Sequence, residues 1–204
     1  MKLLLVRHGQ TEGNIRAALD TALPGPPITE LGEEQARNLV TRLAGEPIVA
    51  VYASQAVRTQ QTAAPLASAL GLEVRIVDGV KEVDAGDLED RNDQEARGIF
   101  LKTLGQWAEG DLTLAIPGGE TGAQVQARML AAMAELRSAH EQATPDGTIV
   151  LVGHGGVMPL CAQWLAPNLR PEIAYSRLIP NIGIIELEAV PDGWHCLTWC
   201  DSVI

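Results

Sequence analysis

Short runs of consecutive apolar residues alternate along the chain with stretches in which apolar positions recur every three or four residues. Residues 3–6 form the first run, ended by Arg7, His8 and Gly9, and read as a buried strand. Residues 10–28 have no such period, and Pro24, Pro26 and Pro27 break any helix there. Thr29 then predicts the cap of a helix carrying Leu31, Ala36, Leu39, Val40 and Leu43 on one face, stopped by Gly45 and Pro47. Residues 48–53 are the next buried run. Ser54 predicts the cap of a helix reaching about Leu70, and residues 73–77 read as a third strand.

Residues 78–118 are polar and glycine-containing, with a weak helical period near 93–108. They close on Pro117, Gly118 and Gly119. A long helix follows, with Val125, Met129, Ala132, Met133 and Leu136 on one face. Residues 148–152 are a further buried strand, after which Gly153-His154-Gly155-Gly156 turns into a helix bearing Val157, Leu160, Cys161, Trp164 and Leu165. Residues 182–187 and 194–199 read as strands around a Pro191-Asp192-Gly193 turn.

Strands separated by helices pair in parallel through right-handed crossovers. The pattern therefore predicts an α/β fold, a mostly parallel central sheet with helices on both faces. No repeat and no Pro-, Gly- or Ser-rich linker divides the chain, so residues 1–204 are expected to form a single domain. The 78–118 segment reads as an insertion over the sheet edge.

Composition narrows the partners. The formal net charge of -11 argues against a nucleic-acid binder, because backbone phosphates need a basic face. A site for a small anion must then be local, made by a few convergent groups. The apolar run after Lys2 is too short for a signal peptide, and no stretch approaches a membrane span. Cys196 and Cys200, placed on one strand, would stand about 13 Å apart, too far for a disulfide or a shared metal. With Cys161 they are expected as free thiols in a reducing cytoplasm. Basic residues are mostly Arg, which points to a GC-rich bacterial genome. Oligomeric state is open, with room for a homodimer.

In an open parallel sheet, ligands bind beyond the carboxyl ends of the strands. Arg7 and His8 follow the first strand, Arg58 lies in the first turn of the helix after the second, and His154 follows the strand at 148–152. The topology brings all of them to one rim. Guanidinium forks suit a phosphate dianion, and a neutral imidazole is a competent nucleophile toward phosphorus. Arg58 stands where a cation opposes the helix dipole, which marks it for a purpose other than helix stability. The acidic run from Glu82 to Glu95 reads mainly as a solvated loop; Arg91 interrupts any calcium-ligand spacing. Met129, Met133 and the Trp residues at 164, 194 and 199 read as core, His140 and His195 as structural or exposed, and Cys161 as a buried small apolar residue.

Arg7-His8-Gly9-Gln10-Thr11-Glu12-Gly13-Asn14 resembles the RHG(E/Q)TxxN signature of the histidine phosphatase superfamily, the phosphoglycerate-mutase-like proteins. Further segments resemble that family in the same order: Ile28-Thr29-Glu30-Leu31-Gly32, Ser54 with Arg58-Thr59 and Thr62-Ala63, Glu82-Val83-Asp84-Ala85-Gly86, Pro117-Gly118-Gly119-Glu120, and Gly153-His154-Gly155-Gly156. The resemblance spans nearly the whole chain. It implies that His8 carries the phosphoryl group, and that Arg7, Arg58 and His154 hold the phosphate with Asn14 and the Gly155 amide. It also implies that Glu82 protonates the leaving group, and that neither metal nor cofactor is used. On the residues alone, Asp84 rivals Glu82 as the proton donor. A protonated carboxyl beside a neutral His8 puts the expected rate optimum on the acid side of neutrality.

The family contains mutases and phosphatases. The Gly-Trp element of cofactor-dependent phosphoglycerate mutases is replaced here by residues 20–27, and the 78–118 segment is acidic, which opposes retention of a second phosphate. The family's Gly-Asp-Trp-Glu-Gly element reads Gly86-Asp87-Leu88-Glu89-Asp90, without the Trp and the second Gly, in the lid insertion at 78–118. The expectation is therefore a phosphatase of a small phosphorylated metabolite. The alternatives are a phosphoglycerate mutase and a non-catalytic phospho-ligand binder on the same fold.

Overall fold

The computed structural model describes residues 1–176 and 179–204. In chain order the elements are β1 (Lys2–Arg7), α1 (Glu12–Ile15), α2 (Glu30–Arg42), β2 (Ile48–Ala53), α3 (Val57–Ala69), β3 (Val74–Ile76) and α4 (Gln94–Ala108). There follow α5 (Gly122–His140), β4 (Thr148–Gly153), α6 (Val157–Leu165), α7 (Pro171–Ser176), β5 (Ile184–Val190), β6 (Gly193–Trp199) and β7 (Ser202–Val203). The strands form one sheet in the order β3-β2-β4-β1-β5-β6-β7. β3, β2, β4 and β1 run parallel, as expected for helix-linked strands, and β5, β6 and β7 add to β1 as an antiparallel extension.

The central strands read as unbroken apolar runs because both faces of the sheet are covered. Leu3 and Leu5 of β1, with Ile149 and Leu151 of β4, join the core under α4, α5 and α6. Leu4, Val6, Val150 and Val152 point the other way, into the core shared with α2 and α3. The face expected on α5 is buried throughout. Thr29 caps α2, its hydroxyl accepting from Gly32 N at 3.1 Å.

Several expectations change. Leu31 is 47% exposed, since it lies one turn-quarter off the buried stripe of Gly32, Ala36 and Leu39. Ser54 does not cap α3; Ala56 is the N-cap and has no side-chain cap bond, while Ser54 turns inward to His154. The segment near 93–108 is a 15-residue helix, capped by Asp93 and anchored in the core by Phe100, Leu104 and Trp107. Its packing partners are α6 and α7 rather than an edge strand. β5 begins at Ile184 because Ile182 sits at φ +61, off the strand conformation. The short α1, α7 and β7 had no readable period.

Candidate active site

The carboxyl ends of β1 and β4 are tied together by His8 N donating to Gly153 O at 3.0 Å. The turn after β1 is held by Gly9 N, which donates to the Thr62 hydroxyl of α3 at 3.0 Å. A Cβ at Gly9 would stand 2.8 Å from Gly32 O, so the crossing of this turn over the start of α2 requires glycine.

His8 is 5% exposed. Its Nδ1 lies 2.7 Å from Gly9 O. A carbonyl only accepts, so Nδ1 carries the proton and Nε2 keeps its lone pair. Burial, then the nearby Arg58 charge, pushes the His8 pKa down to about 3, so the ring is neutral near neutral pH.

His154 is fully buried, its ring centroid 5.6 Å from that of His8 at an interplanar angle of 64°. Arg58 Nη2 donates to its Nδ1 at 3.3 Å, and Ser54 Oγ lies 2.8 Å from its Nε2. Arginine has no acceptor, so Nδ1 is the unprotonated nitrogen and Nε2 donates to Ser54. Burial foremost, then the Arg58 charge, holds His154 well below the ordinary histidine range.

Two guanidinium groups complete the cluster. Arg7 Nη1 donates to Ile179 O at 2.5 Å, and Arg58 Nη2 also donates to Asp20 O at 3.3 Å. Burial lowers the pKa of both, yet arginine remains charged. Among the described residues, Arg7 Nε and Arg58 Nη1 are buried without a hydrogen-bond partner, and neither group has a carboxylate within salt-bridge distance. Unpaired buried donors on charged groups are costly. Both arginines line one cavity, where their charge suits an anion.

A cavity of about 210 Å³ opens on these residues, lined by Arg7, His8, Asn14, Arg58, Glu82 and Gly155 among others. His154 does not line it and stands behind Arg58 and His8. Glu82 spans to the start of α6: its carboxylate accepts from Gly156 N and Val157 N at 2.8 Å each, and from Val83 N at 2.8 Å. Asp84 points elsewhere, toward Lys81 at 3.7 Å, and does not line the cavity, whereas Glu82 does. Arg128 holds the approach to Glu82 by donating to the carbonyls of Gly79, Lys81 and Glu82.

Sequence reasoning missed several contributors. Asn181 donates from Nδ2 to His8 O at 2.9 Å and to Asn14 Oδ1 at 3.0 Å, orienting the Asn14 amide. Asp20 lines the cavity, its pKa raised mainly by burial. Ser54 orients His154. Each acts on a residue far away in sequence, and a lone Asn, Asp or Ser in a loop carries no local signal of that. The altered Gly86-Asp87-Leu88-Glu89-Asp90 element keeps a compact shape: Leu88 is buried, and Asp90 takes φ +58, the left-handed conformation that glycine favours. Among the described residues no group of three His, Cys, Asp or Glu could hold a metal ion, and no helix is long and apolar enough to cross a membrane.

Comparison with known proteins fits this geometry. A family model described as the histidine phosphatase superfamily (branch 1) matches residues 3–202. PE-PGRS family protein PE_PGRS11 of Mycobacterium tuberculosis is 32% identical over 95% of this chain, which spans 35% of that protein's length. A probable phosphoglycerate mutase GpmB of an Enterobacter species is 33% identical, with 98% of this chain and 90% of that protein covered. The solved structure of mycobacterial glucosyl-3-phosphoglycerate phosphatase complexed with VO3 superposes with a TM-score of 0.83 at 27% identity, covering 98% of this chain and 99% of that one.

Proposed function

Because this chain belongs to the histidine phosphatase superfamily (branch 1), we propose that it hydrolyses the phosphomonoester of a small metabolite through a phosphohistidine on His8. The observation that carries the reading is the pair of unpartnered buried guanidinium nitrogens, Arg7 Nε and Arg58 Nη1, beside a neutral His8. With Asn14 and Gly155 lining the same cavity, this positive charge suits a phosphate dianion.

In the reaction proposed, Arg7, Arg58, Asn14 and the Gly155 amide hold the phosphoryl oxygens, and His154 fixes Arg58 from behind. His8 Nε2 forms a bond to phosphorus as the ester P–O bond breaks. The electron pair leaves on the ester oxygen, which takes a proton from the Glu82 carboxyl group. Glu82 then takes a proton from water, whose oxygen bonds to phosphorus as the P–N bond breaks. Phosphate leaves and His8 returns to its starting form. No metal or cofactor enters these steps. The domain acting is residues 1–204, and the net charge of -11 favours a small-molecule substrate over nucleic acid or an anionic membrane surface. A cytoplasmic setting, and assembly as a homodimer, belong to the same reading.

Turnover of a phosphomonoester panel by wild type and His8→Ala tests it. Release of phosphate by wild type and loss of at least about a thousandfold in kcat in the variant is the expected result. Equal slow rates in both would leave a binder rather than an enzyme. Adding 3-phosphoglycerate with a trace of 2,3-bisphosphoglycerate tests the mutase alternative. Rapid formation of 2-phosphoglycerate without phosphate release would replace the phosphatase reading.

A further inference from the structure

Beyond its cationic end, the His8 cavity has apolar walls. Leu19 comes from the loop after α1, Phe100, Leu101 and Leu104 from one side of α4, and Pro159 and Leu160 from α6. From this wall we infer that the alcohol half of the substrate is small, apolar and uncharged, and that phosphorylated hydroxy acids are disfavoured. The inference rests on the phosphatase reading above.

Three features support it. First, Arg7 and Arg58 are the lysine or arginine residues lining the cavity among the described residues, and both belong to the cradle around His8. Against the described residues, a carboxylate on the alcohol half would therefore meet the apolar wall without a cation to replace its water. Second, the charged group that lines the cavity next to Leu19 is, among the described residues, acidic: Asp20, on which the charges of Arg58 and Arg16 act with the opposite sign and those of Glu89 and Asp90 with the same sign. Like charge there selects against an anionic alcohol. Third, the neutral polar group at that place is already engaged. Thr21 donates from N and Oγ1 to the Glu89 carboxylate, at 2.7 and 2.5 Å, and its hydroxyl accepts from Ala85 N at 3.0 Å.

Size agrees. The cavity, at about 210 Å³, lies below the roughly 300–1,000 Å³ of pockets that enclose drug-sized ligands. Part of that volume must hold the phosphoryl group. A compact aliphatic or single-ring alcohol fits the remainder.

Butyl phosphate and 3-carboxypropyl phosphate form a matched pair with similar leaving groups. The expected kcat/KM favours butyl phosphate by at least about tenfold, the discrimination available from apolar contact and an unpaired buried charge. In Leu101→Arg and Leu101→Lys, a cation is added at a wall position that is already 39% exposed and so tolerates change. The gap should narrow at least about threefold, chiefly by a gain for the carboxylated ester. Equal or better turnover of the carboxylated ester by wild type overturns the inference while leaving the phosphatase reading intact. A gap unchanged in both folded Leu101 variants also overturns it. Failure of wild type to release phosphate from either ester, or from any in the panel, removes the phosphatase reading and this inference with it.

Discussion

Arg58 donates to Nδ1 of His154 at 3.3 Å, so one cation of the cavity rim is held by an imidazole that is itself anchored from the other side by Ser54. The order runs Ser54, His154, Arg58, cavity. Ser54 is fully used: it accepts from His154 and from Ala56 N at 3.2 Å, and it can donate to Thr59 Oγ1 at 2.9 Å. Ser54→Ala removes the acceptor and frees the ring to turn. The expected loss is about 10- to 100-fold in kcat/KM for phosphomonoesters, by analogy with loss of the partner that orients a metal-ligating histidine. Ser54→Thr, which keeps the hydroxyl, should recover most of it. Thermal unfolding of each variant checks that the loss is not one of fold.

The ionisation of His8 leads to a rate expectation. An ordinary histidine of pKa 6.5 would be almost wholly protonated at pH 5 and lost as a nucleophile. With its pKa pushed down to about 3, His8 stays neutral there. Initial kcat/KM, which reports the free enzyme, should not fall through a His8 ionisation between pH 7 and 5. A proton-inhibited limb centred near 6.5 that disappears only with His8 would contradict this.

The same burial makes acid costly to the fold. His8 and His154 both have folded pKa values below those of the unfolded chain. The unfolded state therefore binds protons first, so stability is full above about pH 6.5 and declines as pH falls toward the folded values. Between pH 6.5 and 5.5 His8 should remove about 1 kcal/mol, and His154 acts in the same direction. Urea unfolding midpoints across that range read the effect. His154→Gln should show a shallower decline than wild type, and a midpoint independent of pH in wild type would count against both buried neutral rings.

Gly25 sits at φ +70 with its Cβ position directly against Arg58 Nη1. Gly25→Ala must both strain the backbone, by about 1–2 kcal/mol, and displace the guanidinium. KM for phosphomonoesters should rise and inorganic phosphate should bind more weakly. Gly45→Ala, at φ +96 with open space around it, carries the strain without the displacement. Equal kinetic losses in the two variants would show that strain alone explains Gly25.

The chain's fold was readable where burial is two-sided or a helix face is long. Residues 3–6 and 148–152 announce central strands because every side chain is covered, and α5 announces itself by Met129, Met133 and Leu136. The acidic stretch at 78–118 hid the strength of α4, because its cap Asp93 is one carboxylate among many and Trp107 meets its partners only after folding. The candidate site was legible for residues that adjoin strand ends, Arg7, His8 and His154, and for Arg58 because its helix position is electrostatically wrong. Ser54 was misread as a cap since a serine before a helix usually is one. Asn181 is 173 residues from the His8 carbonyl it binds, and no local pattern reports such a pairing.

The most direct test of His8 as phosphoryl carrier is to mix enzyme with a phosphorus-labelled ester, quench in alkali within the first turnovers and map the label. The expected result is phosphate on Nε2 of His8, absent in His8→Ala and accumulating when Glu82→Gln slows hydrolysis of the intermediate. Steady release of phosphate from the ester with no label on His8 at any time, in wild type or Glu82→Gln, would contradict it.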